Sequence, residues 1–196
     1  MKKMLIIYYT WAYGNTKRIA DQLKEATGAD EYRLDTVEPY PSNYQETYQQ
    51  GYSEVDLGTK PEIFDLPVDL DDYDVIALGT PTWWYKMAPA MLSYVSCHYW
   101  YGKPVIPFTT CAGWPKKIMK QFAKECDGCK IVLPFIVKFD RNGGDKMITE
   151  QSEIDRWLAS VKKYLETGQI DKIKQKKHDE NFFKRLAATF KKKNRR

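Results

Sequence analysis

Residues 4–28, MLIIYYTWAYGNTKRIADQLKEATG, change their periodicity halfway along. Residues 4–9 form an apolar and aromatic run of strand length. From Thr16 the apolar positions fall at Ile19, Ala20, Leu23 and Ala26, a helical stripe that Gly28 stops. The stretch reads as a strand, a tight loop and a helix.

The same alternation recurs outward from it. Short strands are predicted at residues 31–34, 75–79, 105–110 and 131–137. Between and after them come a helix around residues 87–97, a helix with Ile118, Met119, Phe122, Ala123 and Cys126 on one face, and a final helix carrying Ile154, Trp157, Leu158 and Val161. Thr149 is its expected cap, with Glu150 in the first turn. Five strands alternating with helices predict an α/β fold: a doubly wound, five-stranded parallel sheet with helices on both faces. Pro107 and Pro134 fall inside two of these strands, where proline removes a ladder donor. Residues 36–70 are too long for an ordinary connection and must hold structure of their own. Within them Tyr40, Tyr44, Tyr48 and Tyr52 recur every fourth residue. That stripe reads either as a helix packed on the sheet edge or as a flap over a ligand.

Composition bounds the rest. The chain has 196 residues with 43% hydrophobic, and no apolar run nears the ~18 to 20 residues of a membrane-spanning helix, so one soluble domain is expected. The two lysines before the first apolar run do not make a signal peptide, because that run is short and no small-residue cleavage site follows. Four cysteines, Cys97, Cys111, Cys126 and Cys129, are too few for a secreted disulfide scaffold, and a cytoplasmic location is expected. Charge divides by position. Residues 1–165 carry 20 basic and 22 acidic side chains, net −2, whereas 166–196 carry 11 and 4, net +7. The organisation expected is a folded domain over 1–165 and a basic amphipathic extension over 166–196.

Doubly wound sheets bind ligands beyond the carboxyl ends of their strands, so the loops after the strands are where chemistry is sought. The first, Thr10-Trp11-Ala12-Tyr13-Gly14-Asn15-Thr16, opens a helix with hydroxyls, a small residue and a glycine, the ingredients of an anion site. It has neither GxxxxGK[ST] nor GxGxxG, so a terminal monophosphate fits better than a triphosphate or a pyrophosphate. The second loop, residues 79–89, puts Trp83, Trp84 and Tyr85 in succession, and no amphipathic period buries three adjacent large rings. The third, Thr109-Thr110-Cys111-Ala112-Gly113-Trp114-Pro115, again offers hydroxyls, small residues and one indole. Together they describe a phosphate cradle between two aromatic walls, which suits a flat mononucleotide such as FMN.

TWAYGNTKRIA, LGTPTWWYKMAPA and PFTTCAGWP resemble the three FMN loops of the flavodoxin family, in the same order along residues 1–165. Arg33 to Tyr40, Lys60-Pro61-Glu62-Ile63, Tyr73-Asp74-Val75-Ile76 and Tyr101-Gly102-Lys103 resemble connecting segments of a bacterial subgroup. The resemblance implies a flavodoxin-like fold and FMN as cofactor. Thr10, Ala12, Gly14, Asn15 and Thr16 would hold the phosphate. Pro81, Thr82, Trp83 and Trp84 would line one side of the isoalloxazine, and Thr110, Cys111, Gly113 and Trp114 the other. Tyr13, Tyr85 and Thr109 complete the candidate set as members of these loops. The chain departs from the common pattern twice. Its phosphate turn is one residue longer through Ala12-Tyr13, and its body is far less acidic than that of carrier flavodoxins, whose negative face meets basic partners.

Other signals carry less. Cys126-Asp127-Gly128-Cys129 lies between a helix and the next strand, away from the flavin loops, and lacks the further ligands of a zinc site. The run Asp65, Asp69, Asp71, Asp72 and Asp74 lacks the spacing of a calcium loop and reads as a solvated turn. His98 and His178 are the only histidines, and no GxSxG or HExxH suggests hydrolysis. In the tail, Phe182, Phe183, Leu186, Ala187 and Phe190 share a helical face that would dock on the protein or a dimer mate, or meet an anionic membrane, nucleic acid or another acidic partner, unless the segment is a disordered end. Three functions stay open: an FMN electron carrier between a redox partner protein and an acceptor, an NAD(P)H-dependent FMN reductase of quinones or similar acceptors, and a flavin-free binding module of the same fold.

Overall fold

The computed structural model describes residues 1–115, 117–140 and 144–170. The amphipathic reading of Phe182 to Phe190 lies outside them. In chain order the elements are β1 (Met4–Tyr8), α1 (Asn15–Thr27), β2 (Asp30–Arg33), α2 (Tyr44–Leu57), β3 (Val75–Trp83), β4 (Lys86–Met87), α3 (Pro89–Ser96), β5 (Pro104–Cys111), α4 (Ile118–Glu125), β6 (Lys130–Ile131), β7 (Phe135–Lys138) and α5 (Gln151–Thr167). A short 3-10 turn, Leu70–Asp72, leads into β3.

The parallel sheet runs β2-β1-β3-β5, with β6 and β7 both on the outer side of β5. The sheet is doubly wound, and β1 and β3 are buried on both faces, as an α/β sheet requires. Alternate residues separate two cores. Met4, Ile6, Tyr8, Ala77, Ile106 and Phe108 meet α1 and α5, through Ile19, Leu23, Ile154, Trp157 and Val161. Leu5, Ile7, Ile76, Leu78 and Val105 meet α3 and α4, through Met91, Tyr94, Ile118 and Phe122. The side-chain period of two in the strands thus decides which helix each residue touches.

Seven strand segments stand where five were expected, for two reasons. β4 is a two-residue hairpin return onto the end of β3, pairing Thr82 with Met87 and Trp83 with Lys86. The predicted helix start at Met87 is therefore displaced to Pro89, which sits in its first turn, where a missing N–H costs nothing. The fifth strand is split. Register steps from Val105↔Ile131 to Phe108↔Phe135, one extra residue on the outer strand, with Leu133 at φ 45° and Pro134 beside it. This is a bulge. Val105 accepts from the Val132 N–H and Cys111 from the Phe139 N–H, so odd residues of β5 turn their backbone groups toward this outer strand. Pro107 shares that parity, and its missing donor falls opposite the break. The two prolines thus occupy one shared gap in the ladder.

Thr149 does not cap α5. Its Oγ1 accepts the Lys138 N–H at 2.8 Å, tying the chain to β7, and Glu150 is the N-cap without a side-chain bond. α5 ends at Thr167, Gly168 closes it at φ 70°, and Ile170 packs on the core. Of the acidic run, Asp69 accepts the Asp71 N–H and Asp74 accepts the Lys3 N–H, both local structural roles. Among the described residues no helix is long and apolar enough to cross a membrane.

Candidate functional site

At the carboxyl end of the sheet the three loops converge on a cavity of about 410 Å³, within the range of small-ligand sites. Of the residues singled out in the sequence, all line it except Thr10, Gly14 and Thr109.

One end of the cavity is built by the entry to α1. Gly14 is the N-cap at φ 70°, preceded by Ala12 at φ 55°, and no side chain caps the helix. The first backbone N–H groups of α1 are therefore left for a ligand. The Asn15 Nδ2 donates to the Gly144 carbonyl at 3.0 Å, and the Thr16 and Thr110 hydroxyls bond each other at 2.8 Å, locking the first loop to the third. Thr10 is buried, yet its Oγ1 has no hydrogen-bond partner. A buried hydroxyl without a partner costs about 1 to 3 kcal/mol, and a ligand oxygen in the cradle is what would relieve it. Thr109 does different work. It donates to the Thr80 carbonyl at 2.7 Å and lies 3.0 Å from the Thr82 hydroxyl, pinning β3 to β5 beneath the cavity.

The second loop is strand rather than loop as far as Trp83, and Trp84-Tyr85 form a two-residue hairpin turn. Both turn residues have positive φ, 44° and 71°, a geometry that favours Asn-Gly and penalises bulky side chains. Ring packing holds Trp84 in this turn. Trp84 meets Tyr48 at 4.9 Å and Tyr52 at 5.6 Å between centroids. Trp83 meets Tyr40 at 5.0 Å and Tyr9 at 6.0 Å. Gly51 lets α2 approach this closely, because a Cβ there would stand 2.8 Å from the Trp83 ring. Replacing the turn by Trp84→Asn with Tyr85→Gly should relieve the backbone strain at the cost of these contacts. The expected net gain is about 1 kcal/mol in the ligand-free protein, read from thermal unfolding.

The tyrosine stripe now has a place. Thr47, Gly51 and Val55 form the buried face of α2, whereas Tyr44, Tyr48 and Tyr52 stay about half exposed and Tyr40 precedes the helix. Tyr44 and Tyr48 line the cavity together with Trp11, so helix packing and cover over the site are both parts of one arrangement. The opposite wall is different. Trp114 is 62% exposed and makes no ring contact among the described residues. Tyr44, Thr47, Tyr48, Phe139 and Gly144 are lining residues that loop reading missed. Only the tyrosine spacing pointed to any of them.

Among the described residues the lining contains no Asp, Glu, Lys, Arg or His. Burial pushes the Cys111 thiol above its ordinary range, with Lys138 opposing the shift weakly. The cavity therefore offers hydrogen bonds and aromatic walls, but no poised side-chain acid or base. Cys126 and Cys129 lie near each other at the far end of α4. Their contact raises Cys126 and lowers Cys129 from the ordinary thiol value.

The flavodoxin family model matches residues 3–157. The chain belongs to the flavodoxin family. Solved structures agree on this flavodoxin fold. A flavoprotein from Lactobacillus acidophilus NCFM, solved in complex with FMN, is 24% identical with a TM-score of 0.63, the match covering 80% of this chain and 99% of that one. Its apo form, solved by NMR, is 25% identical with a TM-score of 0.57, covering 80% and 97%. A protein classed as a flavoprotein from Bacteroides eggerthii DSM 20697 is 24% identical with a TM-score of 0.65, covering 81% and 97%. No curated protein matches the chain.

Proposed function

We propose that this flavodoxin-family chain binds FMN in the cavity and transfers electrons between a redox partner and an acceptor. The observation that carries the reading is the unpartnered, buried Thr10 hydroxyl beside the uncapped start of α1. That helix start, through Asn15 and Thr16, forms one end of a cavity whose walls, among the described residues, are aromatic and uncharged, with Thr10 behind the lining. A phosphate at that end would take the Thr10 hydroxyl and the α1 amides. The flat ring would lie between the Trp83 and Trp84 wall and the strip from Cys111 to Trp114. Bound there, FMN supplies the redox centre and exchanges one or two electrons. The protein's part is to bind, orient and exclude water, and electron-rich indoles beside the ring disfavour an added negative charge. The FMN complex of the Lactobacillus flavoprotein supports the same assignment.

A second reading, direct reduction by NAD(P)H followed by reduction of a quinone or similar acceptor, is favoured by the exposure of Trp114, which leaves one wall open to a reactant. The test is the visible spectrum of the purified protein and its titration with FMN. A flavin band and quenched flavin fluorescence are expected, followed by reduction in separated one-electron steps. Rapid NAD(P)H oxidation without a reductase would favour the second reading. No FMN binding at all would exclude both.

A further inference from the structure

Beside the flavin cavity lies a second cleft of about 450 Å³, between α2, the β3–β4 hairpin and α4. Tyr85 lines both cavities, so the tip of the strained hairpin is their shared wall. The cleft has a partly apolar floor, Met87, Pro89 and Leu92, and a lysine rim. Lys117, Lys120 and Lys124 come from one side of α4 and its N-cap, spaced over about 10 Å of helix axis.

The charges do not cancel. Two carboxylates border the cleft. Glu54 accepts from the Tyr40 hydroxyl with one oxygen and from Gln50 with the other, so it is held on the α2 side. Glu125 pairs with Lys124 at 3.3 Å. Lys86 is drawn to the Val55 carbonyl at 2.8 Å. Lys117 and Lys120 have no ion-pair partner among the described residues. Gln121 accepts the Met87 N–H at 2.9 Å and ties α4 to the hairpin, which fixes the lysine row relative to Tyr85.

The geometry points to this cleft as a binding site for a phosphate-bearing nucleotide, its phosphates on Lys117 and Lys120 and its base against Leu92 and the exposed Tyr85 ring. The inference deepens the redox reading by naming the class of small reactant that would reach the flavin cavity past Tyr85, and its role rests on that reading. The binding itself does not.

The test titrates the full chain with ADP and, separately, with inorganic pyrophosphate, by calorimetry and by amide chemical shifts. Each titration is repeated with FMN present and in Thr10→Val, Lys117→Gln/Lys120→Gln and Lys162→Gln/Lys163→Gln variants. Saturable ADP binding is expected. It should weaken about tenfold or more in the α4 double variant, as loss of two phosphate contacts implies, and stay unchanged in the α5 control and in Thr10→Val. ADP should also bind more tightly than pyrophosphate, through its base. Equal affinities would mean a simple anion patch and overturn the nucleotide assignment. Binding that disappears with FMN or in Thr10→Val would place the ligand in the first loop instead. Equal weakening by the α5 control would reduce it to net charge, and absence of saturable binding would end the proposal. FMN titration is a separate readout, so failure of the flavin reading and failure of this one are told apart.

Discussion

Thr10→Val is expected to weaken FMN binding about 10- to 100-fold while leaving the FMN-free protein at least as stable as the parent. The two effects have opposite signs because the hydroxyl is buried without a partner in the ligand-free protein. Valine matches its shape and removes that unsatisfied oxygen, which should add up to about 1 kcal/mol to the apoprotein. With phosphate present the same hydroxyl would make a charge-assisted bond worth about 1.5 to 3 kcal/mol, and valine loses it. Fluorescence titration with FMN and thermal unfolding of the apoprotein measure the two halves. An unchanged FMN affinity would place the phosphate away from Thr10, and a large loss of apoprotein stability would mean that the hydroxyl has a protein partner after all.

The largest effect on the fold is expected at Gly79→Ala. Gly79 pairs with Tyr8 of β1 on one side and Phe108 of β5 on the other. A Cβ there would stand 2.2 Å from the Phe108 ring. Phe108 is fully buried and packs against Trp157, which stacks on Phe135, so the ring has little room to retreat. Overpacking of this kind costs about 3 kcal/mol, a fall in Tm of roughly 6 to 12 °C for a domain of this size. The second variant Gly79→Ala/Phe108→Leu should recover part of the loss, since the leucine vacates the space the methyl enters. Additive losses in the pair would show that the ring contact is not the cause.

Much of the scaffold was readable because it rests on periodicity. The change of period across residues 4–28 identified β1, the turn and α1 directly, and the composition of the three loops located the cavity. The sequence was weaker where tertiary contact overrides local preference. Trp84-Tyr85 does not look like a hairpin turn, because the residues that normally supply positive φ are absent; rings from α2 hold the turn shut instead. Tyr44 and Tyr48 were visible as a stripe, but spacing alone does not say what an exposed helical face overlooks. Thr149 looked like a cap and bonds β7, a partner far outside its own helix start. The resemblance to the flavodoxin loops points to Thr10 by position, but that its hydroxyl is buried without a partner is a tertiary fact no motif carries.

The broken outer strand has a consequence for how copies of this protein meet. An unpaired strand edge invites a neighbouring chain to extend the sheet, and here both edges refuse the invitation. On one side β2 is only four residues long, Asp30-Glu31-Tyr32-Arg33, and three of them are charged. On the other, the Leu133 bulge and Pro134 cut the edge into segments of two and four residues with no continuous row of donors. Among the described residues neither sheet edge therefore offers a continuous template for edge-to-edge growth, which removes one backbone route to aggregation in a crowded solution.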